Sequence, residues 1–376
     1  MTIANKEPDF PGKADRDIIH ILYSGLGGHG SVVFSLLESS VEFRNRSRLV
    51  FYGIEPLVEE YKMKCLTLGL PYSYIRPRPG NPVLAWRKLY SLISAKEIDF
   101  IFLNSVNTII PAALAARLKK KKLFVIEHMS NGLKTRFDKI CSALSMRYSN
   151  NIIVLTQAYY QELKELLQNK FRQNKVVIIP NGIDTNKFRP DPANNKGFSM
   201  GMVSRFTPSK DHMMLVQAFF EFHKNHVASI LKLAGDGETL PQIKQLVQSL
   251  GIADDVIFTG MLKDDEMVRF YQSLDIYVHI SKGETMSTAI MQAMSTGLPV
   301  LASDVNGISN MLNADVGILV PNSVEKITSA MIYLAQNPEL RLGYGNNGRH
   351  LANKYFSSTM MSEKYLSLLG DKMKLC

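Results

Sequence analysis

The chain has only three cysteines in 376 residues: Cys65, Cys141 and Cys376, far apart and with no Cys-x-x-Cys pair. An odd, scattered set argues against a disulfide framework or a structural zinc site and fits a reducing cytoplasm. No apolar run approaches the roughly 20 residues that cross a bilayer. The opening MTIANKEPDFPGKADRD lacks the apolar centre of a signal peptide and reads as a loose leader, residues 1–17. Gly-x-Ser-x-Gly and Walker patterns are absent, which removes the usual marks of a hydrolase nucleophile elbow and of a P-loop. Metal-ligand spacing is poor. His223 and His226 can share a helical face, but no third ligand stands near them. Asp15 and Asp17 lie ahead of the first strand, not at a strand's carboxyl end.

The composition is that of a globular protein, with 45% hydrophobic and 21% charged residues, and the length favours two domains. The net charge of +10 is unevenly placed. Residues 1–180 carry 26 Lys and Arg against 15 Asp and Glu, a net of +11, while residues 181–376 carry 18 against 19, a net of −1. Basic character confined to one half points to an anionic partner there: nucleic acid, acidic lipid or a phosphorylated acceptor. A solvated basic face is the alternative.

Short apolar runs alternate with helical stretches. Strands are expected at Ile18–Ser24, Arg48–Ile54, Tyr72–Ile75, Phe100–Leu103, Leu123–His128, Ile152–Leu155 and Val176–Ile179 in the first half. In the second they are expected at Phe198–Val203, Ser229–Gly235, Val256–Thr259, Ile276–Ile280 and Val300–Ala302. Continuous apolar strands separated by helices predict parallel sheets buried on both faces, hence an α/β protein of two doubly wound Rossmann-like domains. The expected division is an N-terminal domain 18–180, a Pro- and Asn-rich linker 181–197, a C-terminal domain 198–355, and a C-terminal helix within 356–376 that returns to the first domain. A ligand is expected in the cleft between the domains, at the strands' carboxyl ends.

Four stretches carry chemistry. Gly25-Leu-Gly27-Gly28-His-Gly30 follows a strand and opens a helix, so its backbone can approach a phosphate or sugar. It also fits a dinucleotide fingerprint, although no clear acidic ribose ligand follows apart from Glu55. GMVSRFTPSKDH (201–212) puts Arg205 and Lys210 in one loop after a strand, a fork and a point charge suited to a diphosphate. His128 ends a strand and faces the expected ligand crevice. SKGETMSTAIMQAMSTGLPV (281–300) sets Glu284 ahead of a helix expected to be capped by Ser287 and stopped by Gly297. A carboxylate beside a helix N-terminus suits a ligand anionic at one end and hydroxyl-rich at the other. An ordinary strand–turn–helix, solvated charges and a structural histidine are the plain alternatives.

A membrane surface is also indicated. PVLAWRKLYSLISAK (82–96) sets Trp86, Leu89, Tyr90 and Ile93 at helical spacing beside Arg87 and Lys88, and Lys119–Lys122 adds four lysines. The alternative is that this helix packs on its own sheet.

In this order the motifs resemble the retaining family-4 glycosyltransferases of GT-B fold, over nearly all of residues 18–370. The matching pieces are Gly27-Gly28, Glu127-His128, IIPNGIDTNKFRP (178–190), SRFTPSK, Gly235-Asp236-Gly237, VIFTG (256–260) and the Glu284 segment. The resemblance implies a nucleotide-sugar donor, UDP or GDP, a saccharide acceptor, retention of anomeric configuration and no metal or other cofactor. By position, Arg205 and Lys210 would hold the diphosphate. Glu284 would meet the sugar hydroxyls, and His128 would lie near the sugar. Gly27 and Gly28 would line the phosphate side, Ile257 and Met261 would flank the base, and Gly235, Gly237, Thr285, Met286, Ser287 and Thr288 would also belong to the donor site. Two departures stand out. Gln292 replaces the second Glu of Glu-x7-Glu, so ribose bonds lose charge assistance. Asn306-Gly307-Ile308-Ser309-Asn310 replaces a Gly-Gly-x-x-Glu.

The basic first half then suggests an undecaprenyl-diphosphate-linked acceptor at the inner membrane face, in assembly of an O-antigen- or capsule-type polysaccharide, with the protein cytoplasmic and peripheral and nucleic acid no partner. A nucleotide-sugar 2-epimerase of the same fold, a dinucleotide-dependent oxidoreductase and a non-catalytic nucleotide-sugar-binding protein are the other readings.

Overall fold

The computed structural model describes residues 16–25, 28–104, 106–128, 134–191 and 198–370. Gly27, Asp15 and Cys376 lie outside them, as do most of the leader and the end of the expected linker. The chain divides into two compact units, residues 1–182 with 358–376, and residues 183–357.

The first unit is built on seven strands: β1 (Ile18–Tyr23), β2 (Ser47–Tyr52), β3 (Tyr72–Ile75), β4 (Phe100–Leu103), β5 (Lys122–Glu127), β6 (Asn151–Val154) and β7 (Val176–Ile178). They pair in parallel in the order β3-β2-β1-β4-β5-β6-β7. The direction of winding reverses between β1 and β4, the point at which an open α/β sheet has its ligand crevice. Ile19, Ile21, Leu103, Val125 and Ile152 are fully buried or nearly so, as strands covered on both faces must be.

Four helices of this unit matter below: α1 (Gly28–Ser39), α2 (Val83–Ile93), α3 (Ile109–Leu118) and α4 (Arg136–Tyr148). On α2, Ala85, Leu89 and Ile93 recur every fourth residue and are buried in the core with Ile101 and Leu103. The expected lipid-facing stripe is therefore corrected at Leu89 and Ile93, which cover the sheet. The lysine run is not uniformly available either. Lys121 donates to the carbonyls of Ala95, at 3.1 Å, and Ile98, and the Lys122 ammonium lies 5.4 Å from the Phe100 ring centre.

The helix Ser358–Leu369 belongs to this unit. Ser39 Oγ donates to the Ser358 carbonyl at 3.1 Å. Tyr365 sits against Phe43 and Phe102, at ring separations of 6.4 and 5.6 Å. His20 stacks on Phe102 in the same aromatic cluster, and burial drives its pKa down to about 3, so it is neutral there.

The second unit holds β8 (Phe198–Val203), β9 (Ser229–Ala234), β10 (Val256–Gly260), β11 (Ile276–His279), β12 (Val300–Ser303) and β13 (Gly317–Val320), in the order β10-β9-β8-β11-β12-β13. All pairs are parallel. The strand β13 was not anticipated. It is a short apolar run, Gly-Ile-Leu-Val, that passes so close to β12 that a Cβ on Gly317 would strike the Val300 carbonyl. The segment read as a linker starts as part of this unit. Ile183 and Phe188 are buried, and the Phe188 carbonyl accepts from Ser295 Oγ at 2.5 Å.

Candidate functional site

In the second unit the winding reverses between β8 and β11. Arg205 and Lys210 lie in the loop that leaves β8, and Glu284 in the loop that leaves β11. The two loops are stitched together. Lys210 bridges Ser281, the Lys282 amide donates to the Ser209 carbonyl at 2.9 Å, and the Asp211 amide donates to the Ile280 carbonyl at 3.1 Å. Between Arg205 and Lys210 the fully buried Phe206 pins the first loop, its ring stacked on His212 at 4.0 Å. His212 in turn contacts Ser204 Oγ at 3.0 Å and the Lys210 carbonyl at 2.9 Å. An apolar anchor thus sets the spacing of two cations.

Lys210 and Glu284 form an ion pair, with side chains 17% and 14% exposed. Burial first, and the Arg205 guanidinium second, push the Lys210 ammonium down from its ordinary 10.5 to about 8. The Glu284 carboxylate is its counter-charge. Glu284 Oε1 also lies 2.8 Å from His279 Nε2. His279 is almost fully buried, and burial, Lys210 and His212 hold its pKa well below the usual value. A neutral imidazole has one donor and one acceptor nitrogen. Nε2 donates to the carboxylate, which leaves Nδ1 to accept from the Tyr277 hydroxyl 3.0 Å away. Glu284 is therefore oriented from beneath by a buried tyrosine–histidine relay on β11.

Backbone closes the rest of the site. Gly235 and Gly237 follow β9 at φ +130° and +151°, where L side chains are strained, and a Cβ on either would strike the carbonyl of Ser204 or Phe206. The turn after β9 is thereby laid directly on the Arg205 loop. Past β12, Gly307 (φ +87°) packs as closely on the Glu284 carbonyl. Ser287 caps helix α5 (Thr288–Ser295), accepting from the Ile290 amide at 3.4 Å, and Met286 is buried beside it. The first-turn amides of α5, at Thr288 and just beyond, have no intrahelical acceptor and favour an anion. Thr285 lies between Glu284 and this helix end along the chain. Gln292 is half-buried one turn further on. The single Tyr271 hydroxyl proton serves either its Oε1, at 3.1 Å, or the Ala289 carbonyl, at 3.2 Å.

Met261 follows β10 beside this cluster, since the Gly235 amide donates to the Gly260 carbonyl at 2.9 Å. Ile257 is the second residue of β10, near its other end, and the structure does not bring it to the cluster. His223 and His226 have separate partners: Asp255 Oδ2 at 3.2 Å from one, and the Phe222 carbonyl at 3.0 Å from the other. Among the described residues no three His, Cys, Asp or Glu are placed to hold a metal.

In the first unit, Gly28 opens α1 after β1, and His128 follows β5. His128 Nε2 lies 3.4 Å from Asn104 Oδ1, just past β4. The Asn104 Nδ2 is buried without a hydrogen-bond partner among the described residues. Behind it, Glu127 is buried with Lys134, 2.8 Å away, and accepts from the Tyr159 hydroxyl at 3.1 Å. Lys134 also donates to Ser142 Oγ at 2.8 Å. Asn104, Lys134, Tyr159, Tyr277 and His279 were missed by sequence reasoning. Only His279 left a local signal, an ionisable residue on the same strand face as Tyr277 within an apolar run.

The family model for Glycosyltransferase Family 4 matches residues 26–187, which takes in all but the first glycine of the turn that had also fitted a dinucleotide fingerprint, and that for Glycosyl transferases group 1 matches residues 184–351. An uncharacterized glycosyltransferase of Methanocaldococcus jannaschii is 26% identical over 74% of this chain and 76% of its own length. The UDP-Gal:alpha-D-GlcNAc-diphosphoundecaprenol alpha-1,3-galactosyltransferase of Escherichia coli is 25% identical over 71% of this chain and 74% of its own. The crystal structure of Anabaena HepE with UDP and glucose has the same fold, with a TM-score of 0.83 at 19% identity, covering 95% of this chain and all of that one. The two family models, run end to end over residues 26–351, together with the two parallel-sheet domains, make this chain a glycosyltransferase of GT-B type.

Proposed function

We propose that the protein transfers a sugar, with retention of configuration, from a UDP- or GDP-sugar to a saccharide acceptor carried on a lipid diphosphate. The observation that carries this reading is the Lys210–Glu284 pair at the reversal of the second sheet, with Arg205 in the same stitched loop and the α5 N-terminus beside it. Cations and helix amides there would hold the donor diphosphate and stabilise the charge that grows on it as the glycosidic bond breaks. That role is the one a divalent ion would otherwise fill, so turnover should need no metal and should survive a chelator. Glu284 would read the sugar hydroxyls. No protein nucleophile is assigned; the acceptor hydroxyl attacks from the face the diphosphate leaves.

Within the first unit, Asn104 and His128 follow the carboxyl ends of β4 and β5 and would be its acceptor contacts. Its positive charge, and the diphosphoundecaprenol substrate named for the Escherichia coli relative, support a lipid-linked acceptor at the inner face of the cytoplasmic membrane. Assembly of an O-antigen- or capsule-type polysaccharide follows as the pathway. No helix of the described residues is long and apolar enough to cross a membrane; the attachment proposed is peripheral.

The test is donor turnover in purified protein. Lys210→Ala and Glu284→Ala should each lower transfer by at least a hundredfold with unchanged circular dichroism. Turnover by either variant at the wild-type rate would sink the assignment.

A further inference from the structure

Helices α2, α3 and α4 lie side by side on one face of the first sheet, and their outward sides are apolar where a soluble helix would be polar. Ile110, Leu114 and Leu118 form one ridge along α3, at every fourth residue. Val83 flanks it on α2, and Phe137 and Ile140 on α4. These six side chains are 43–60% exposed. Two shallow grooves run between the helices and share Ile110 and Leu114. The one towards α4 ends at Arg117, and the one towards α2 at Arg87.

The charges around this surface are of one sign. Arg87, Lys88, Arg117, Arg136, Lys139 and Arg147 lie on the exposed surfaces of the three helices. Their single carboxylate, Asp138, is buried in the cap of α4, where it accepts from the Thr135 amide at 2.9 Å. A soluble surface mixes both signs. A second copy of the chain would bring cations against cations with no carboxylate between them, which disfavours self-association. Nucleic acid matches the charge but not the apolar ridge at the centre.

We infer that the α2–α3–α4 face is a docking surface for an anionic bilayer. Ile110, Leu114, Leu118, Phe137 and Ile140 enter the boundary between headgroups and acyl chains, and the surrounding Arg and Lys meet lipid phosphates. The inference deepens the lipid-linked acceptor reading and rests on it for its purpose. It also moves the contact away from the buried Leu89–Ile93 stripe, outward to residues on three helices.

The experiment is sedimentation of the full chain with phosphatidylglycerol–phosphatidylcholine vesicles and with phosphatidylcholine vesicles. Wild type should sediment with the first and stay in solution with the second. Leu114→Glu combined with Ile140→Glu should abolish binding. Arg136→Ser combined with Lys139→Ser should weaken it roughly thirtyfold, at about 1 kcal/mol for each cation near the surface. Equal binding to both vesicles, variants that bind like wild type, or a concentration-dependent dimer lost in Leu114→Glu would each overturn the inference. Hydrolysis of the nucleotide sugar in water reports on the transfer reading separately. Its absence in wild type counts against that reading, while vesicle binding alone decides the docking surface.

Discussion

His279 and Glu284 are five positions apart, yet Nε2 of the first reaches Oε1 of the second at 2.8 Å, because the intervening loop doubles back over the end of β11. A buried neutral histidine here does not act as an acid. It holds one oxygen of the carboxylate, so that the other can face a ligand. His279→Leu should lower transfer by roughly tenfold to a hundredfold, the worth of about 1.5–3 kcal/mol for a hydrogen bond to a charged group. His279→Gln, which retains a donor, should recover part of it. Equal rates for wild type and His279→Leu would show that the relay does not orient Glu284.

The Lys210 shift sets the alkaline limit. Its ammonium is charged below about 8 and neutral above, so kcat/KM for the donor should fall as pH rises through that value in the free enzyme. Lys210→Arg, which cannot deprotonate, should flatten the fall at a lower rate. Folding has the opposite sign. The unfolded chain holds this proton up to about 10.5, so this group adds stability as pH rises from about 8 to 10.5. Loss of activity there, with a steady or rising melting temperature, separates the two effects.

Gln292 offers a gain. On the proposed donor site, Gln292→Glu would offer ribose hydroxyls a charged acceptor, and charge-assisted bonds are about twice as strong as neutral ones. Donor KM should fall roughly threefold to tenfold with little change in kcat. A raised KM would mean that residue 292 does not meet the ribose, since a carboxylate still accepts from the Tyr271 hydroxyl.

The buried Glu127–Lys134 pair is a stability lever on the first unit. Lys134→Met strands a carboxylate in the core, at about 3–5 kcal/mol, which lowers the melting temperature by roughly 10 °C. Adding Glu127→Gln should restore most of it. If the single variant melts like wild type, the pair carries no structural weight.

The sheets were legible because parallel strands are apolar throughout: runs such as Ile276–Ile280 stand out without any partner in view. Arg205, Lys210 and Glu284 were legible because their loops sit at strand ends and carry turn residues. Asn104 and Lys134 were not, since each acquires meaning only from a strand end 24 residues away or a carboxylate in another element. The α2 face was misread for a physical reason. Helical spacing marks one covered side of a helix and is silent on whether protein or lipid covers it. Leu89 and Ile93 went to the sheet, and the free surface was distributed over three helices whose adjacency no local window contains.

The aromatic cluster of His20, Phe43, Phe102 and Tyr365 bears on the order in which the protein is made. Its last member is translated after the whole of the second unit, so the ribosome releases the first sheet with Phe43 and Phe102 still uncovered. Domains ordinarily fold as they emerge. Here the half that emerges first is finished last, and a chain truncated before Ser358 would have a complete second unit and an unfinished first one.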